Sequence, residues 1–188
     1  VMKKLYTIGH STQEFDSFLN LLKQHEIQAV ADVRSGPYSK RFPWFNREAL
    51  DETLKEHGIK YVFLGEEFGA RRDEPCCYCG TRADYELIAK APLFKQGLER
   101  LEQGLQKMRI SLMCAEQDPI DCHRTILVAR YAQEFSDVNH ILRSGELESH
   151  QELEQRLLKK MGMKDDDLFV SREDQLLRAY KLRGEEIA

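Results

Sequence analysis

The stretch ISLMCAEQDPIDCHRTILVA, residues 110–129, carries the reading of the fold. Ile110–Ala115 is a nearly unbroken run of apolar and small residues, of the length of a buried strand. Pro119 and Asp121 then punctuate the chain, and Cys122–Phe135 returns to apolar residues at helical spacing, with Asp121 as the expected N-cap. Strand, short loop and helix make part of a βαβ unit, and the alternation recurs on either side. Leu5–Ile8, Ala29–Val33, Ile59–Leu64 and Val138–Leu142 read as further strands. Between them lie helical patterns. Phe15, Phe18, Leu19 and Leu22 follow Ser11 and Glu14 at capping-box spacing. A second helix is opened by Asn46 and stopped at Gly58, and a third runs from about Ala83 to Lys107 with a break at Pro92. The pattern predicts an α/β fold: a Rossmann-like three-layer sandwich around a mainly parallel sheet of about five strands, with C-terminal helices. Residues 2–148 form the core domain with its site loops, and 149–188 a helical extension packed on it. Leu153, Leu157 and Met161 line its first helix, and Leu176, Leu177 and Tyr180 its second.

Composition narrows the function. The 188 residues, 41% apolar and 32% charged, fit one globular unit. No apolar run approaches the roughly 20 residues of a membrane span, and Lys3, Lys4, Glu14 and Asp16 leave no apolar signal segment. Five cysteines are too few and too odd in number for a disulfide framework and fit a reducing cytoplasm. A net charge of −4 argues against bulk coating of nucleic acid but allows a local basic groove.

Ligands of open α/β sheets bind beyond the carboxyl ends of the strands. The predicted ends carry Gly9-His10-Ser11, Asp32-Val33-Arg34, Gly65-Glu66 and Cys114-Ala115-Glu116, and the helix after the fourth strand starts Asp121-Cys122-His123-Arg124. Glu116 suits a general base or nucleophile. Cys122, at a helix start between an acid cap and two bases, is an activated thiolate, an anion contact or a small packing residue. Cys114 reads as packing. Asp32 either pairs with Glu116, as glycosyl transfer needs, or holds Arg34. His10 is an acid–base group, a phosphate donor or a structural residue.

Arg34, Arg124, His123, Ser11, Tyr38 and Arg71 are the expected substrate-binding residues. Together with His10, Arg34 and Arg124 are expected to hold a phosphate-sized anion over the helix start. The loop from Arg34 to Phe45 interleaves bases with Tyr38, Phe42, Trp44 and Phe45, which suits a nucleotide or folds back as a lid core. Arg71 and Arg72 extend the cationic rim. Cys76 and Cys79 have CxxC spacing, but one such pair is half a zinc site; Cys114, Cys122 or His123 would have to complete it. No metal and no cofactor is therefore expected.

The motifs Thr7-Ile8-Gly9-His10-Ser11, Asp32-Val33-Arg34 with Pro37 and Ser39, Leu64-Gly65-Glu66 with Gly69 and Arg71, and Cys77-Tyr78 with Gly80 carry a resemblance. Cys114-Ala115-Glu116 with Cys122-His123-Arg124, and His140-Ile141 with Gly145, extend it. From about Lys3 to His150 the chain resembles the family catalogued as domain of unknown function 488; Cys76 and Cys79 fall outside that pattern. The resemblance implies an α/β fold and a cytoplasmic bacterial or archaeal protein, with no settled activity. The residues themselves point to an enzyme, a hydrolase or transferase of glycosyl or phosphoryl type, with Glu116, Cys122, His10 and Asp32 catalytic. Its partner is an anionic small molecule or nucleic-acid fragment. The alternative is a nucleotide- or nucleic-acid-binding module without catalysis.

Overall fold

A computed structural model describes residues 2–163 and 169–188. From the N-terminus, β1 (Lys3–Gly9) leads into α1 (Phe15–Gln24) and β2 (Ala29–Asp32). A loop with a 3-10 turn at Pro43–Phe45 reaches α2 (Arg47–Glu56) and β3 (Lys60–Phe63). The next segment holds the one-turn α3 (Gly65–Phe68) and a ribbon of β4 (Tyr78–Cys79) and β5 (Arg82–Ala83). Then come α4 (Tyr85–Lys90), α5 (Pro92–Leu105) and β6 (Ile110–Cys114). After a 3-10 turn at Pro119–Asp121, a wide π-type helix, Arg124–Ala129, continues as α6 (Arg130–Ala132). β7 (Ser136–Ile141) and β8 (Leu147–Ser149) make a hairpin, followed by α7 (His150–Lys160) and α8 (Arg172–Ile187).

The sheet runs β3-β2-β6-β1-β7-β8, and every pairing is parallel except β7–β8. β2 and β6 are buried along their whole length, as a strand covered on both faces must be. Phe18, Leu22, Phe45, Leu50 and Leu54 pack with Ile8, Val30 and Met113 on one face. Phe94, Leu101, Ile126, Leu157 and Tyr180 pack with Leu5 and Leu112 on the other. The result is an α/β sandwich in three layers. The chain leaves β2 toward the α2 layer and leaves β6 toward the α6 layer. Between neighbouring strands whose connections part in this way a crevice opens at their carboxyl ends. Among the described residues no helix is long and apolar enough to cross a membrane.

Several local expectations are corrected. To the five expected strands the described residues add a sixth, the antiparallel edge strand β8, which carries no apolar signal in Leu147-Glu148-Ser149. The Ser11–Glu14 capping box does not form: Ser11 sits at φ 47° in the left-handed region, and Glu14 precedes α1 without a side-chain cap bond. Asn46 precedes α2 but turns its Oδ1 to the Ser39 amide. Asp121 ends the 3-10 turn capped by Asp118, and the carbonyl of Cys122 takes the first bonds of the next helix, from the Thr125 and Ile126 amides. Pro92 opens α5 rather than breaking a helix. In the tail, Leu153, Leu157 and Tyr180 are buried, but Leu177 is half exposed and lines no packed face. Residues 164–168 of the expected 149–188 extension lie outside the described residues.

Candidate active site

The crevice past β2 and β6 is a cleft of about 940 Å³. Arg34, Ser35, Gly36 and Tyr38 come from the loop after β2, and Cys114, Ala115, Glu116 and His123 from the end of β6 and the helix behind it. Arg71, Tyr78, Arg82 and Tyr85 form the opposite wall. Ile187 and Ala188 also reach it.

Four side chains meet at its floor, three of them lining it and Cys122 buried just behind. The sulfurs of Cys114 and Cys122, the Glu116 carboxylate and a His123 ring nitrogen all lie within 4.8 Å of one another. Cys122 Sγ hydrogen-bonds Glu116 Oε2 at 2.9 Å, and Cys114 Sγ stands 3.7 Å from His123 Nδ1. His123 Nε2 donates to the Val33 carbonyl at 2.9 Å, and the Arg124 amide points at Cys122 Sγ at 3.4 Å. Local geometry explains the convergence. Cys114 ends β6 and Glu116 follows it in the loop, and Cys122 and His123 head a helix that turns back over that strand end.

The charges interlock. Burial would push the Cys122 thiol up, but Cys114, the Arg124 guanidinium and His123 hold it well below the ordinary thiol range. The hydrogen bond with Cys122, then burial, pushes Cys114 well above that range. Burial, then the neighbouring Cys122, raises Glu116. Burial opposes the His123 cation, yet contact with Cys122 and the Val33 carbonyl leaves its pKa raised. A depressed thiol and an elevated carboxyl thus share one short contact, with proton affinities brought toward each other.

The other expected residues stand apart from this floor. Asp32 is fully buried and grips Arg34 through Oδ1 to Nε at 2.9 Å and Oδ2 to Nη2 at 2.7 Å, while Tyr61 donates to Oδ2. Arg34 also donates to the Phe45 carbonyl and, through Nη1, to His10 Nε2. His10 donates Nδ1–H to the Ser11 carbonyl, stacks on Phe45 with centroids 4.3 Å apart, and is driven by burial and Arg34 to a pKa of about 4. It is a buried neutral acceptor. Arg124 is fully enclosed, its Nη1 and Nη2 on the carbonyls of Glu116 and Gln117 and its Nε on Thr7 Oγ1. Arg34 and His10 thus meet each other but not Arg124, and the three do not converge over the helix start, because Arg34 is held by Asp32 and Arg124 by backbone carbonyls.

Ser11 lies beside Ala115, whose carbonyl takes its amide, and does not line the cleft. Phe42, Trp44 and Phe45 fold back as core, leaving Tyr38 exposed at the rim. Arg72 turns inward onto the Glu66 and Glu67 carbonyls and Glu74. Arg71 stays exposed at the rim, and among the described residues no carboxylate pairs with it. The sequence does not single out Arg82, Tyr78 or Tyr85 for the cleft; Cys114 is buried in the core as expected, and its sulfur also borders the cleft. The Cys114-x-Glu116 alternation at a strand end was the available signal.

Fold and site define a mainly parallel α/β protein with a cluster of cysteine, glutamate and histidine side chains at the carboxyl edge of the sheet. The model of the family described as Domain of unknown function DUF488 matches residues 14–131, and the chain belongs to that family. The matched span holds Cys114, Glu116, Cys122 and His123 and begins after His10 and Ser11. No curated protein and no solved structure matches the chain.

Proposed function

We propose that the protein is a hydrolase or transferase acting on an anionic, phosphate-bearing substrate of nucleotide type, with Glu116 as the acid–base group. One observation carries the reading: Cys114, Glu116 and His123, clustered with the buried Cys122, line the floor of a cleft whose rim holds Arg71. Glu116 is the exposed member, whereas Cys122 is only 1% exposed and stands behind it. Substrate meets the carboxylate, and the thiol serves the carboxylate. The balance of charge favours an anion. Asp121 on the cleft wall is already neutralised by Lys160 and Arg183, and Arg34 by Asp32, so Arg71, unpaired among the described residues, sets the potential above Glu116. Tyr38, Tyr78 and Tyr85 supply aromatic faces for a base.

A second trough, of about 730 Å³, shares Ser35, Gly36, Tyr38 and Arg71 with the first. This longer groove favours the alternative, a binder of nucleotides or nucleic-acid ends without catalysis. One experiment separates the two. Nucleoside mono- and diphosphates and short oligonucleotides are incubated with the protein, and products and bound ligand are both measured. The enzyme reading expects turnover of at least one compound and a loss of about 10²–10⁴-fold in kcat for Glu116→Gln. Binding without turnover establishes the binder. Turnover indifferent to Glu116→Gln removes Glu116 from its role.

A further inference from the structure

We propose that Cys114, Cys122 and His123 bind a zinc ion whose fourth position opens to the cleft beside Glu116. This deepens the preceding reading by naming the cofactor of the same cleft. The donor set comes first. Two sulfurs and an imidazole nitrogen are soft and borderline ligands, which select zinc over magnesium or calcium. Their spacing fits. Zinc–sulfur bonds of about 2.3 Å and zinc–nitrogen bonds of about 2.0–2.1 Å set a tetrahedral S–N edge of about 3.6 Å. Cys114 Sγ and His123 Nδ1 are 3.7 Å apart, with Cys122 Sγ inside the same 4.8 Å group.

The outer partners are those of ligands. A carbonyl only accepts, so the Val33 oxygen fixes the proton of His123 on Nε2 and leaves Nδ1 turned to the sulfurs. A second partner of this kind is what orients metal-bound histidines. Cys122 heads a helix and receives the Arg124 amide, both of which favour a thiolate. Glu116 Oε2 lies 2.9 Å from Cys122 Sγ, closer than two ligands of one tetrahedral zinc stand, and it is the exposed member of the group. That leaves it next to the fourth position, facing whatever oxygen enters there. An open site with three protein ligands and an adjacent carboxylate is the form of a hydrolytic zinc centre.

The sequence directed attention to Cys76 and Cys79 instead. Both are exposed, and among the described residues neither belongs to a group of three or more candidate ligands.

The full chain, kept reduced, is equilibrated with zinc and dialysed, and its metal content is measured; cobalt(II) is then titrated into metal-stripped protein. We expect one zinc per chain and the intense visible bands of tetrahedral cobalt with thiolate-to-metal charge transfer. Cys114→Ser and Cys122→Ser each weaken binding by more than the 10–100-fold typical of losing an outer partner. A Cys76→Ser, Cys79→Ser double variant binds as the parent does, and Glu116→Gln, which alters only an outer partner of Cys122, weakens binding by no more than that 10–100-fold. Absence of stoichiometric metal, a weak octahedral cobalt spectrum, or dependence on Cys76 and Cys79 would overturn the site. Should the buried serine variants fail to fold, the parent's cobalt spectrum decides by itself, because its charge-transfer intensity reports two sulfurs. Zinc held by a protein that turns over no phosphate-bearing compound keeps the site and sinks the functional reading. Turnover by protein shown to carry no metal does the reverse.

Discussion

Arg34 and Arg71 lie in the same cleft, and their surroundings give them opposite jobs. The Arg34–Asp32 fork is closed on both sides, at 6% and 0% exposure, with Tyr61 and Phe45 completing its hydrogen bonds. Asp32→Ala leaves a buried guanidinium without its counter-charge, and breaking such a pair costs about 3–5 kcal/mol. Urea unfolding should show a lower midpoint at unchanged slope; a midpoint equal to the parent's would mean that water or another group replaces Asp32 without penalty. Arg71 is exposed, so Arg71→Ala should move stability by less than about 0.5 kcal/mol. It removes a charge-assisted contact from the rim, and affinity for a nucleoside monophosphate should fall about tenfold by calorimetry. Undiminished affinity would take Arg71 out of the site. The strand-end rule put all these residues at one edge, and it holds for Cys114, Glu116, Cys122 and His123. It is silent on which partner each side chain takes. Asp32 and Arg34 stand two residues apart on a strand end and satisfy each other, and Arg124 satisfies the carbonyls of the loop it crosses. Competition of this kind depends on three-dimensional neighbours, which no spacing rule contains.

At the level of elements, the position of Glu116 depends on how closely β1 runs beneath the loop after β6. A Cβ on Gly9 would lie 1.8 Å from the Glu116 carbonyl oxygen, itself held at 2.8 Å by Arg124 Nη1. The obstructing atom is backbone, so no rotamer change relieves it. Gly9→Ala should therefore lift the 115–117 loop and destabilise the fold by about 1–3 kcal/mol or more. A thermal melt unchanged from the parent's would show that the loop yields freely and that this contact does not position Glu116. β6, before this loop, was legible as an apolar run buried on both faces, and the helix after it as apolar residues at helical spacing. The turn between them was not, since Asp118 and Asp121 are equally good caps by residue type. Asp118 takes the role because Pro119 follows it at the first position of the turn and its Oδ1 receives the Ile120 amide. That choice moves the head of the next helix onto Cys122 and places its sulfur beside Glu116.

Across the whole molecule, a buried line of hydrogen bonds joins the site to the C-terminal helices. Arg124 Nε donates to Thr7 Oγ1, which donates to His140 Nδ1; His140 Nε2 donates to His150 Nδ1 at 3.0 Å. His150 Nε2 donates to the Tyr180 hydroxyl, which donates to Glu154. With both histidines neutral, every group in this line is matched. Burial pushes both below the usual imidazole range, reinforced at His140 by His150, Arg124 and Arg156 and opposed at His150 by Glu154 and Glu148. An unfolded histidine takes up its proton near pH 6.5. The folded chain does not, so the stability these residues contribute is fully present above about pH 6.5 and is lost as pH falls below it. Each histidine sets a limiting slope of about 1.4 kcal/mol per pH unit in that window, before most carboxylates titrate. His10 adds in the same direction, while His123, whose pKa is raised, acts against it. Urea unfolding between pH 7.5 and 5.5 measures the total slope, and the same series on His150→Gln isolates one contribution. The variant should be less stable at pH 7.5 yet lose stability more slowly on acidification, by up to about 1.4 kcal/mol per pH unit. Parallel slopes in the two proteins would mean that His150 takes up its proton in the fold as it does in the unfolded chain, and that its burial contributes nothing to the pH dependence.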